Sequence, residues 1–108
     1  MGLSKEVLEK NIKRMLSIIK PEGVSMIDFE LDPIQQNEYY LSLIYVVPDD
    51  SPYMKVNRKE DPRHDWNRMI LYSIRDYFNT RVIINNTNLT TESFYKQQKE
   101  KIKQWQRN

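Results

Sequence analysis

The 108-residue chain has no cysteine, so disulfides, thiolate zinc sites and cysteine nucleophiles are excluded and packing alone must hold the fold. Alanine is absent as well, and the only glycines are Gly2 and Gly23. No phosphate-cradling glycine loop and no Gly-x-Ser-x-Gly turn is therefore present. No apolar run approaches the roughly 18 to 20 residues of a membrane span, and the first residues lack the apolar core of a signal peptide. Met1-Gly2-Leu3-Ser4-Lys5-Glu6 offers a myristoylation glycine but has Glu6 where Ser or Thr belongs. A soluble cytoplasmic protein is expected, with no membrane partner. The formal charge of +2 is too small to imply a nucleic-acid partner by itself. Ile, Lys, Asn and Tyr are abundant, and all four are favoured by AT-rich codons, as in a phage or marine microbe; a phage origin would make the protein virion-associated.

The chain does hold clear periodicity. Leu8, Ile12, Met15, Leu16 and Ile19 fall on one helical stripe, with Ser4 as N-cap, Glu6 in the first turn and Pro21-Glu22-Gly23 as the stop. Ile27, Phe29 and Leu31 alternate with Asp28, Glu30 and Asp32, the pattern of a strand with one wet face. A turn is expected over Pro33 to Asn37. The next run, Tyr39 to Val47, is apolar on both faces: Tyr39, Leu41, Leu43, Tyr45 and Val47 share one, Tyr40, Ser42, Ile44 and Val46 the other. Such a strand wants cover on both sides.

Pro48-Asp49-Asp50-Ser51-Pro52 ends that strand, and the charged, aperiodic Tyr53 to Glu60 is expected to be a long loop. Asp61-Pro62 opens a helix carrying Trp66, Met69, Ile70, Ile74, Tyr77 and Phe78 and ending near Asn79-Thr80. Arg81 to Ile84 is expected as a short strand followed by a turn at Asn85-Asn86-Thr87-Asn88. A last helix over 91–106, capped by Thr90 or Thr91, has the thin stripe Phe94, Tyr95, Ile102 and Trp105 and should be weakly held.

These elements make a single α+β domain over 1–108, a two-layer α-β-β-α-β-α arrangement with a small three-stranded mixed sheet packed by helices. The second and third strands should run parallel through a right-handed crossover if they share the sheet. The order α-β-β-α-β over residues 4 to 86 resembles the second type of K-homology domain, which implies an RNA-binding fold. That family's Gly-x-x-Gly clamp is missing, so no functional residue carries over.

Candidate sites are few. His64, beside Asp61 and Asp65, has the chemistry of a general base or metal ligand, but one histidine without a nucleophile is more simply a first-turn residue. Asp28, Glu30 and Asp32, with Asp49 and Asp50 near the same sheet end, have the chemistry of a magnesium site; a solvated strand face that blunts unwanted pairing is the plainer account. Lys55, Arg58, Lys59, Arg63 and Arg68 with Tyr53 and Trp66 form the best phosphate-and-stacking candidate, interrupted by Glu60, Asp61 and Asp65. The tail Lys96, Lys99, Lys101, Lys103 and Arg107 with Trp105 reads as a basic arm or a mixed-charge surface helix. Asn85-Asn86-Thr87 and Asn88-Leu89-Thr90 match the glycosylation pattern by chance in an Asn-rich chain.

The expectation is a non-enzymatic protein-association module without a cofactor or metal, a homo-oligomer or a subunit of a larger assembly. Its interface would be Tyr40, Ile44, Val46, Tyr95, Ile102 and Trp105. The alternative is a module for single-stranded RNA using Lys55, Arg58, Lys59, Arg63, Trp66 and Arg68.

Overall fold

The computed structural model describes the backbone of residues 4–55 and 61–106, and the side chains of 4–54 and 61–100. Helix α1, Lys5–Ile19, starts where the Ser4 hydroxyl accepts the Val7 N–H at 3.3 Å, and it buries Leu8, Ile12, Met15 and Leu16. Past Pro21 the chain turns through Gly23 at φ 85°, a backbone state that a side chain resists.

Strands β1, Met26–Gln35, and β2, Glu38–Val47, form the antiparallel hairpin. The turn is tighter than the sequence suggests. Strand β1 runs straight through Pro33, slips by a bulge between Pro33 and Gln35, and reverses at Asn37, which takes φ 60°. Proline is tolerated there because β1 is an edge strand in the order β1-β2-β3, where an absent N–H removes no essential ladder bond.

After β2 comes a short 3₁₀ turn, Pro52–Lys55, and then helix α2, Arg63–Phe78. Pro62 already has helical angles, φ −72° and ψ −12°, and Asp61 accepts the Arg63 N–H at 3.0 Å. The proline and its acidic neighbour thus open the helix as their order implies. Asn79 closes it in the left-handed region at φ 48°, donating its N–H to the Arg75 carbonyl.

Strand β3, Arg81–Thr91, pairs parallel with β2 along its whole length. This corrects the expectation of a four-residue strand and an Asn-rich turn. A register shift opposite Leu41 and Ser42 absorbs Asn85, and the segment 86–91 goes on pairing with 42–47. A ready partner strand outweighs the local turn preference of Asn. Helix α3, Glu92–Gln106, follows without a loop.

Helices α1 and α2 cover one face of the sheet. There Leu31 of β1, Tyr39, Leu41, Leu43, Tyr45 and Val47 of β2, and Val82 of β3 join the helical Ile12, Ile70 and Ile74 in one core. Ile27, Phe29, Ile84 and Leu89 complete it at half burial. Among the described residues no helix is long and apolar enough to cross a membrane.

Candidate interaction surface

The second face of the sheet is built of cross-strand rows: Asp32–Tyr40–Ile83, Glu30–Ser42–Asn86, Asp28–Ile44–Asn88 and Met26–Val46–Thr90. Acidic residues thus line β1, a mainly apolar row follows β2, and neutral polar residues dominate β3. Ser42 also donates to the displaced Asn85 side chain at 3.0 Å.

The start of α3 closes one end of this face. Thr91 accepts the Phe94 N–H as cap, and the Asp49 carboxylate accepts both the backbone N–H and the hydroxyl of Ser93. Two more hydroxyl–carboxylate bonds tie the same turns down: Ser25 to Glu92, and Tyr95 to Asp28. Hydrogen bonding to Ser93 holds the Asp49 carboxyl below the usual carboxylate range. Burial first, and the bond to Asp28 next, push the Tyr95 phenol up, while Lys99 sits over its ring at 5.2 Å from the centroid.

Helix α3 therefore rests against β2 and β3, and Val46 is only 1% exposed. Val46 is no interface residue, because the chain's own last helix supplies its cover; Ile44 is half-buried beside it. The rest of the face is open. Tyr40 is 41% exposed and its direct cross-strand neighbour Ile83 is 38% exposed. Along α3, Tyr95 is half-buried whereas Lys96 through Glu100 are all exposed. Ile102 and Trp105 fall outside the described side chains.

The helix-covered face, at the same end of the sheet, accounts for the phosphate-binding candidates. Trp66 is 9% exposed, with Tyr45 at 5.0 Å and Tyr53 at 5.1 Å between ring centroids. It is core, and the expectation that it stacks on bases is corrected: its face is already taken by two tyrosines. Arg63 is also committed, bonding Asp61 through Nε and Nη2 and donating Nη1 to the Thr87 carbonyl at 3.2 Å. This clamp joins the α2 entry to edge strand β3 and lowers the Asp61 carboxyl. Burial raises the Tyr45 phenol far above its ordinary value; its hydroxyl donates to Asn67 at 2.6 Å. Arg68 and His64 are exposed on α2, while Lys55, Arg58 and Lys59 fall outside the described side chains.

Alternate positions on a strand stand roughly 7 Å apart, so Asp28, Glu30 and Asp32 do not converge on one ion. Among the described residues no group of His, Cys, Asp or Glu side chains is close enough to hold a metal. Sequence reasoning missed Ile83 as a surface residue, although its alternation with Val82 and Ile84 carries that signal. The Ser25–Glu92, Asp49–Ser93 and Asp61–Arg63–Thr87 contacts join positions with no periodic relation and leave no sequence signal. The chain matches no family model, no curated protein and no solved structure.

Proposed function

We propose that this protein is a non-enzymatic association module that pairs with a second copy of itself through the open half of the sheet. The observation that carries this reading is the adjacent pair Tyr40 and Ile83, left uncovered on a face whose other end the chain has closed for itself. Two large apolar side chains in register form a patch, and apolar patches framed by charge mark docking surfaces.

Charge favours a copy of the same chain. Glu30 and Asp32 lie along one border of the patch, and helix α3, which bonds Asp28 of the same face through Tyr95, carries the exposed Lys96 and Lys99. A two-fold contact sets each acidic border against the other copy's basic helix, with Tyr40 and Ile83 at the centre. The burial of Trp66 and the pairing of Arg63 withdraw two of the six residues of the RNA alternative.

Sedimentation or light scattering tests the proposal. A dimer is expected that weakens as salt rises, because its rim is ionic. Tyr40→Glu with Ile83→Glu should give a folded monomer, the dimer constant weakening by about tenfold or more. A wild-type chain that stays monomeric at the highest soluble concentration and low salt would remove the reading.

A further inference from the structure

We propose that the groove between the ends of α1 and α2 is a docking site for an acidic amphipathic helix of another protein. The groove measures about 370 Å³ and is lined mainly by Arg14, Met15, Ile18, Ile19, Tyr77 and Phe78. Met15 is buried and Ile19 and Phe78 are half-buried, so they form a recessed apolar floor. Ile18 and Tyr77, 75% and 74% exposed, stand at its sides. These are the most exposed large apolar residues described, and they face each other from two helices across one depression.

On α1 the groove side is formed by Asn11, Arg14 and Ile18, at i, i+3 and i+7. From Lys10 to Lys20 the chain carries Lys10, Lys13, Arg14 and Lys20 and no carboxylate. Lys10 lies one turn before Arg14, which lines the groove itself, and among the described residues neither is paired with an acid. A third helix laid between α1 and α2 would drop residues spaced i, i+3, i+4 and i+7 onto the apolar floor. Its flanking carboxylates would meet the cations of α1.

The same charges decide against other occupants. Helix α3 of a second copy brings Lys96, Lys99, Lys101 and Lys103, which α1 would repel. A lipid surface would take Ile18 and Tyr77 but leave the recessed floor of Met15, Ile19 and Phe78 unfilled, whereas a helix side fills both. The site belongs to the helix layer and does not depend on pairing through the sheet.

Fluorescence anisotropy with two labelled synthetic helices tests this. One carries Leu at i, i+3, i+4 and i+7 with Glu elsewhere; the other has Lys in place of every Glu. The acidic peptide should bind about tenfold or more tightly than the basic one, and the advantage should shrink with salt. Ile18→Ser with Tyr77→Ser should weaken it by about tenfold with the melting temperature unchanged, since both residues are exposed. Should that variant melt early, Lys10→Glu with Arg14→Glu decides, and it should reverse the peptide preference. Equal binding of both peptides, binding by neither, or acidic-peptide binding untouched by the charge reversal would overturn the proposal. So would partition onto phosphatidylserine vesicles by a chain that binds neither peptide.

Discussion

Two backbone positions with positive φ stand in opposite energetic states. Gly23, at φ 85°, has no Cβ; one placed there would lie 2.9 Å from a ring carbon of Tyr53. Tyr53 in turn donates its hydroxyl to the Glu22 carbonyl at 3.1 Å and packs edge-on against Trp66. The ring cannot retreat without loosening both contacts. Asn79 takes φ 48° with a side chain that tolerates this state less well than glycine does. Gly23→Ala should therefore destabilise the protein by about 1–3 kcal/mol. Asn79→Gly should stabilise it by about 0.5–1 kcal/mol, as at other helix ends in this conformation. Thermal melts check both, at roughly 4–8 °C per kcal/mol for a domain of this size. A Gly23→Ala protein melting with the wild type would mean that Tyr53 moves freely.

At the scale of elements, the docking of α3 depends on carboxylates accepting from hydroxyls and amides, and this has a pH signature. The folded chain holds the Asp49 carboxyl below its ordinary range, so the Ser93 bonds contribute fully above the unfolded value. Their contribution is lost as pH falls through the folded value. Acidification from neutral pH should loosen the start of α3 before the core, and Asp49→Asn should loosen it already at pH 7. Trypsin cleavage at Lys96 and Lys99 reads this directly. It should quicken in Asp49→Asn, while cleavage within α1 and α2 does not change; equal quickening everywhere would point to global unfolding instead.

The elements also differ in how plainly the sequence announces them. The stripe of α1, the Asp61-Pro62 entry of α2 and the two-sided apolar run of β2 are local patterns, and each appears where its residues place it. Strand β3 is different, because Asn85 to Asn88 prefer a turn in isolation and become strand only beside β2. The cover over Val46 was equally hidden, since it depends on Ser25, Asp49 and Asp28 meeting α3 from distant parts of the chain. The open pair Tyr40 and Ile83 was half legible: Tyr40 from the second face of β2, Ile83 only once β3 lay in register.

At the scale of the whole molecule, the sheet and helix layers form a slab of 44 × 41 × 22 Å, and each layer carries one of the two proposed docking surfaces. Two copies joined through their sheets would carry both helix layers outward, so the proposed dimer would offer two grooves to a partner bearing two acidic helices. The second contact then becomes intramolecular, and its effective concentration exceeds that of free helices in dilute solution. The two surfaces share no residue, so changes in one should leave the other's intrinsic affinity nearly unaltered. A tandem peptide with two acidic helices on a long flexible linker should therefore bind the wild-type protein about 10²-fold or more tightly than the single helix. The Tyr40→Glu, Ile83→Glu protein should keep the single-helix affinity and lose the tandem advantage. If the advantage persists in that variant, the two grooves are not joined through the sheet face; if single-helix binding falls as well, sheet face and groove are energetically one surface rather than two.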